Sequence, residues 1–278
     1  MTVAESLGLT TLSSWQKYRT MPPTRFVVIS LALSVVGAAA AGCALFPSTS
    51  LTDLDIPAVA GTEYTVYQNP VDESVSVSFT KDGPWDFTEG PTGINVKSRL
   101  VKKTAAAAYK KFVEAKYAEK VLPSAFTNDF TTYNFAAITQ SSLNSYGQSV
   151  TPGPDGPMVK TYDKPERLLK FPVNVGDEWT DTITTTEQPP VVFELNRKVV
   201  ARGQVKVPAG SFFNCFMVRL IRTAKTTDET QPTRTIMYFW WAPDVGLVAA
   251  VGSQPDETEM FFRQADYIIR LKSYKIGE

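Results

Sequence analysis

Hydrophobic and polar residues alternate with a period of two along much of the chain after residue 64. The segment Val75–Phe79 shows this alternation, and so do parts of the segment 219–274. Side chains two apart on a strand share one face, so the pattern predicts half-buried β-strands. Proline and glycine in Val207–Gly210, and again in Trp241–Gly246, predict tight hairpins between such strands.

Residues 99–121 follow a different period. This segment is rich in Ala, Lys and Glu, which favour helices. Its apolar residues recur at helical spacing, at Val101, Ala105, Ala108, Phe112 and Ala115. Lys103, Lys110 and Lys111 fall on the opposite side, as a solvated face or as a surface for anionic lipid.

The two patterns together predict a mainly β domain over residues 57–278. We expect a single curved antiparallel sheet or open barrel with one covering α-helix at about 99–121. We expect the helix to pack on the sheet through its small alanines.

The composition excludes several classes of catalytic and binding site. The chain has 28 basic and 28 acidic residues, so it offers no overall field for nucleic acid, and we expect no nucleic-acid partner. It has no histidine, which excludes Ser-His-Asp and Cys-His nucleophiles and the common catalytic zinc sites. No phosphate-binding, dinucleotide or EF-hand motif is present, so we expect no cofactor and no metal.

The N-terminal region has the order of an export signal. Arg25 precedes the apolar stretch Phe26–Val36, and small residues then lead to Cys43. Residues 40–43, Ala-Ala-Gly-Cys, resemble the lipobox of bacterial lipoproteins, although Ala40 stands where Leu is most usual. The resemblance implies that Cys43 is the lipidation site, that it carries diacylglycerol and a further acyl chain, and that it becomes the mature N-terminus.

This interpretation sets the domain boundaries. Residues 1–42 are the removed signal peptide, with residues 1–20 preceding a more ordinary start at Met21, and residues 43–56 are a lipidated tether. A transmembrane anchor over residues 26–45, or cleavage with release, are the alternatives. We therefore expect an envelope protein on the extracytoplasmic side, with the membrane as partner. Ala44 resembles the pattern that is sorted to the outer membrane in a diderm host.

Three stretches resemble a family of secreted bacterial proteins and lipoproteins called TapB-like. They are Leu169–Trp179, Gly203–Phe213 and Phe239–Val248, and the resemblance covers roughly residues 168–274. It implies an extended antiparallel sheet on the cell surface or in the periplasm, and it implies no activity. The glycines, prolines and tryptophans of these motifs also have ordinary uses in turns and cores.

Three functional hypotheses follow. The first is a non-enzymatic lipoprotein whose β domain binds or scaffolds an envelope component. The second is a carrier for an apolar ligand such as a lipid, with Tyr238, Phe239 and Trp240 lining an apolar pocket. The third is a carboxylate-based carbohydrate-active enzyme that uses Asp177 and Glu178 beside Trp179, although neighbouring strand residues point to opposite faces. With Cys43 lipidated, Cys215 is predicted to be a buried, inert thiol.

Overall fold

The computed structural model describes residues 50–69, 73–124, 130–151, 157–226 and 231–278. The signal segment and Cys43 lie outside these residues. The described ranges contain strands and short 3-10 turns, with no α-helix among them. The 3-10 turns are Asp53–Asp55, Lys103–Ala105 and Tyr109–Lys111. The strands are β1 (Glu63–Gln68), β2 (Val75–Ser76), β3 (Trp85–Asp86), β4 (Ile94–Lys102), β5 (Tyr117–Val121), β6 (Thr131–Thr139), β7 (Ser142–Thr151), β8 (Met158–Lys170), β9 (Glu178–Thr184), β10 (Val191–Val207), β11 (Gly210–Thr226), β12 (Thr233–Ala242), β13 (Gly246–Ser253) and β14 (Gln264–Lys275).

These strands form one sheet. Its order is β3-β10-β11-β12-β13-β14-β1-β4-β5-β6-β7-β8, with β9 also paired to β10 and β2 to β14. Every ladder is antiparallel except the short β3–β10 pairing. Both predicted hairpins are confirmed, because Val207 pairs with Gly210 and Ala242 pairs with Gly246. The prediction of a single, mainly antiparallel sheet is therefore confirmed.

The sheet curls until its two ends approach each other. In the described ranges, β8 and β9 share one isolated bridge, between Tyr162 and Thr185, rather than a ladder. Buried residues from strands distant in the order, such as Val96, Leu169 and Leu195, nevertheless belong to one core. The sheet is thus open, and its inner face encloses part of this core.

The predicted helix over residues 99–121 is wrong. The segment instead contains the end of β4, two 3-10 turns and β5. β4 buries alternate residues, Val96, Ser98 and Leu100, and pairs with both β1 and β5. Two ladders and a buried face outweigh helix propensities of less than about 1 kcal/mol per residue.

The apolar stripe that indicated a helix is instead used in a turn-rich cover. Residues 103–116 pack on the outer surface of β5 and β6, where Phe112 stacks on Phe135 with ring centroids 3.7 Å apart. Lys103 closes this cover because its Nζ donates to the Val113 carbonyl oxygen at 2.6 Å. Lys110 and Lys111 are exposed, whereas Lys103 is half-buried.

A second cover lies over the outer face of β12–β14. Phe79, Trp85 and Phe87 from the segment 73–92 pack edge-on against Trp240, at centroid distances of 5.7, 5.9 and 4.7 Å. The buried Arg270 holds this cover in place. Its guanidinium donates to the carbonyl oxygens of Phe87, Thr88 and Pro91.

The first described residues are already part of the fold. Leu51 is fully buried and exchanges two backbone hydrogen bonds with Val173, at 3.1 and 2.7 Å. Thr52 and Asp55 form a capping box around the first 3-10 turn, and Ile56 is fully buried. The chain is therefore fixed to the domain from Leu51 onwards.

Candidate functional site

A charged cluster lies on the inner face, where the two ends of the curled sheet meet. Arg197 on β10 forms an ion pair with Glu166 on β8. The residues are only 2% and 8% exposed. Burying two charges is costly, so such a pair is weak support for stability and marks a place where the fold keeps charge for another reason.

The alternation of β10 places Arg197 on this face. Val191, Phe193, Leu195 and Val199 are buried at every second position, and Arg197 occupies the same series. The Nη1 atom of Arg197 has no hydrogen-bond partner among the described residues. A buried guanidinium therefore presents an unused donor to the interior.

Two more cations flank Phe193. The Lys160 Nζ and the Arg222 Cζ each lie 5.7 Å from the centre of its ring, within the range of a cation–π contact. Burial lowers the pKa of Lys160, which Glu187 partly offsets. Burial likewise lowers the pKa of Arg222, whose Nε has no hydrogen-bond partner in the described ranges.

Two tyrosines complete the cluster. Burial raises the pKa of Tyr162 on β8, with Glu166 adding to the effect, and burial raises the pKa of Tyr267 on β14. Tyr267 lies directly over Gly252, where a Cβ atom would come 2.0 Å from the ring. Only glycine leaves room for the ring at this position, so Gly252 is needed for Tyr267 to lie beside Arg222.

We name these residues the inner charged cluster. It consists of Lys160, Tyr162, Glu166, Glu187, Phe193, Arg197, Arg222 and Tyr267. It holds three cations and two carboxylates, of which Glu187 is exposed. The excess of cations, the aromatic surface and the free guanidinium donors suit an anionic ligand with a ring or apolar portion.

The three residues of the predicted apolar pocket do not share a face. Tyr238 and Trp240 lie in the outer aromatic layer, where the Tyr238 hydroxyl donates to the Met260 carbonyl oxygen at 2.7 Å. Phe239 is on the inner face, because it pairs with Val218 and Ala250. Strand alternation separates them, so the aromatic run contributes to two different layers.

The predicted acidic pair has structural contacts. An Asp177 carboxylate oxygen accepts a hydrogen bond from the Asn174 backbone N–H at 2.8 Å and so caps a turn. Glu178 is exposed, and its carboxylate accepts hydrogen bonds from Asn196 and Lys198 at 3.0 and 3.2 Å. Trp179 is buried, and its Nε1 donates to the Arg167 carbonyl oxygen. The two carboxylates therefore do not converge on one site.

A cleft of about 570 Å³ lies between the N-terminal segment and the ends of β4, β5 and β6. Its floor is mostly apolar and its rim carries two lysines. The lining residues are Asp53, Leu54, Ala58, Ala60, Leu100, Val101, Lys102, Lys116, Tyr117, Ile138, Thr139 and Gln140. Tyr117 is 9% exposed, and its hydroxyl has no hydrogen-bond partner among the described residues.

Cys215 is fully buried, as predicted, and burial raises its pKa to about 12. Cys43 falls outside the described residues, so its lipidation stays a prediction. In the ranges that the structure describes, no group of acidic and cysteine side chains could hold a metal ion. No helix in those ranges is long and apolar enough to cross a membrane.

Two solved structures resemble this chain. One is a candidate lipoprotein from Parabacteroides distasonis ATCC 8503, with 12% identity and a TM-score of 0.42 over 82% of this chain and 100% of the other. The second is a candidate exported protein with a YmcC-like fold from Bacteroides fragilis NCTC 9343, with 17% identity and a TM-score of 0.38 over 79% and 97%. Both the sequence identities and the TM-scores are low.

No family model and no curated protein matches the chain. The resemblance of residues 168–274 to TapB-like proteins therefore stays a prediction.

Proposed function

We propose that the protein is a lipid-anchored protein of the bacterial cell envelope, and that its curled sheet binds an anionic ligand at the inner charged cluster without catalysing a reaction. The observation that carries the binding role is the buried guanidinium of Arg197, which offers a free Nη1 donor to the interior. A guanidinium that is already desolvated binds an anion with a smaller loss of hydration than an exposed one.

The surroundings of Arg197 support binding rather than catalysis. Arg222 and Lys160 add positive charge near the ring of Phe193, and both lie on strands. A site on strands is preorganised, which lowers the entropy lost on binding. The sequence has no histidine to transfer protons, and Asp177 and Glu178 are occupied in structural contacts.

The anchoring role rests on the sequence around Cys43. The order of Arg25, the apolar stretch and the small residues before Cys43 supports export and lipidation. In a diderm host the protein is then on the outer membrane.

We expect Cys43→Ser to move the protein from the membrane fraction to the soluble fraction, or to leave an uncleaved precursor. Intact-mass measurement of the wild type should show loss of residues 1–42 and a gain of acyl mass. A wild-type protein that retains Arg25 and an unmodified Cys43 would contradict anchoring by lipid.

The binding role is tested with pairs of sugars that differ only at C6, where the acid has a carboxylate and the neutral sugar has a hydroxymethyl group. Glucuronic and galacturonic acids are compared with glucose and galactose by titration calorimetry on the wild type. We expect the acids to bind more tightly than their neutral counterparts. We also expect added salt to lower the affinity of the acids less than it would lower the affinity of an anion bound at an exposed surface site. Arg222→Gln should abolish the preference, while Arg263→Gln, at an exposed arginine, should leave it unchanged. Equal affinity for acids and neutral sugars, or equal effects of the two variants, would contradict the proposal.

The apolar cleft favours a second candidate, a carrier of an apolar ligand. Leu100 and Ile138 form part of its floor, and its volume lies in the range of ligand sites.

A further inference from the structure

The cleft lies beside the point where the tether joins the domain. Asp53 and Leu54 form part of its edge and lie two and three residues after Leu51, which forms the backbone bridge with Val173. Cys43 precedes Leu51 by eight residues, which span at most about 28 Å when fully extended. If Cys43 is anchored, this end of the domain stays close to the bilayer surface.

Exposed apolar side chains lie at the same end of the domain, near the bridge between Leu51 and Val173. Leu54 is 69% exposed and Val175 is 53% exposed. They lie three and two residues beyond Leu51 and Val173, the two residues of the bridge. Apolar side chains next to a membrane tether suit shallow insertion between lipid headgroups.

The lining of the cleft is apolar at its floor and positively charged at its rim, which is complementary to an anionic lipid. Leu100, Ile138 and Ala58 belong to a small apolar cluster with Tyr117, and Ile138 also packs against the main core. Lys102 and Lys116 are exposed at the rim. An apolar floor below two ammonium groups matches an acyl chain below an anionic headgroup.

We propose that this cleft binds one acyl chain of an anionic phospholipid from the membrane that holds the anchor. The site is distinct from the inner charged cluster, and the proposal rests on the lipid anchoring proposed above only for the supply of lipid. An acyl chain that leaves the bilayer moves from one apolar medium to another. Most of the affinity therefore comes from covering the apolar floor of the cleft and from the two lysines.

The experiment uses the mature acylated protein in vesicles of phosphatidylcholine and phosphatidylglycerol. The phosphatidylglycerol carries a photoreactive diazirine on its acyl chain. After irradiation, peptide mass spectrometry locates the adducts. We expect adducts at Leu100–Lys102 and at Lys116–Tyr117. Ala60→Trp places a bulky ring at the edge of the cleft and should remove them. Ala107→Trp, at an exposed alanine outside the cleft, should leave them unchanged.

A second pair of measurements keeps the proposal testable if the tryptophan disturbs folding. Lys102→Gln and Lys116→Gln should each lower the adduct yield about fivefold, if each lysine contributes as a juxtamembrane basic residue does. Photoreactive phosphatidylcholine should give fewer adducts than phosphatidylglycerol. Adducts confined to exposed apolar residues elsewhere, such as Val113 and Phe213, would overturn the proposal, as would equal yields in Ala60→Trp and Ala107→Trp.

Anchoring and cleft binding fail in different ways in this design. Cys43→Ser protein mixed with the same vesicles should still form adducts in the cleft, at lower yield, because the cleft itself is intact. If wild-type protein is absent from the membrane fraction but forms cleft adducts when vesicles are added, anchoring fails and the cleft proposal stands. If the wild type is anchored and the cleft is unlabelled, the cleft proposal fails and anchoring stands.

Discussion

Consecutive residues of β12 belong to two very different layers. Tyr238 and Trp240 point outward into a layer of aromatic rings, and Met237 and Phe239 point inward to the face that also carries Arg197 and Arg222. The residues of the outer layer are joined by edge-on ring contacts, which stabilise the fold. These contacts do not orient any group towards a ligand. The inner face instead retains charge at a cost in stability. If the inner charged cluster binds a ligand as proposed, one sheet separates folding from recognition by the direction in which its side chains point.

Trp240→Ala tests the outer layer and should give the largest effect. Its ring is fully buried and contacts Phe79, Trp85 and Phe87. Removing it should lower the free energy of unfolding by about 3–5 kcal/mol, measured by urea denaturation. Phe213→Ala, at an aromatic residue that is 65% exposed, should change it by less than about 0.5 kcal/mol. Equal losses in the two variants would mean that the outer layer is not a packed core.

Glu166→Gln tests the inner face. The buried Arg197 would keep its charge beside a neutral amide, which should cost about 3 kcal/mol of unfolding free energy. The double variant Glu166→Leu with Arg197→Met should recover most of this loss, because an apolar pair of similar size needs no desolvation. The same double variant should lose the preference for acidic probes. If it keeps that preference, the charges serve the fold and the ligand site lies elsewhere.

Raising the pH to about 10 should give the smallest effect, because one pH unit above the ordinary thiol pKa removes only about 1.4 kcal/mol. Burial raises the pKa of the Cys215 thiol from its ordinary value of 9.0 to about 12. The unfolded chain loses this proton at lower pH than the folded one. The stabilisation is therefore complete below about pH 9 and is lost as the pH rises towards 12. Urea midpoints measured at increasing alkaline pH should fall for the wild type and fall less steeply for Cys215→Ala. Parallel curves would show that Cys215 is not the group responsible.

The mainly β fold could be predicted from local sequence patterns, but those patterns could not exclude a helix over residues 99–121. The hairpins at 207–210 and 241–246 follow from Pro and Gly at defined turn positions. Residues 99–121 have a helical composition, and only the ladders with β1 and β5 decide against it. Those partners are set by the whole sheet, so the segment itself carries no signal that could reveal them.

The inner charged cluster was missed for a similar reason. Glu166, Arg197 and Arg222 are far apart in sequence, and only the curl of the sheet brings them together. One local signal was present. Arg197 stands in the same alternating series as Phe193, Leu195 and Val199, so the alternation alone could have placed a charge on the buried face with those residues. The aromatic run 238–240 drew attention by its composition, although strand alternation divides it between two layers.

The backbone pairing of Leu51 with Val173 would give the molecule a defined mechanical coupling to the proposed anchor at Cys43. If Cys43 is held in lipid, any pulling force on the domain passes through Leu51 before it reaches the rest of the sheet. Two backbone hydrogen bonds and the fully buried side chains of Leu51 and Ile56 resist that force. A strong enough pull would draw this segment out of the core and uncover one end of the interior. The point of attachment is therefore also the place where tension at the membrane would act first on the fold.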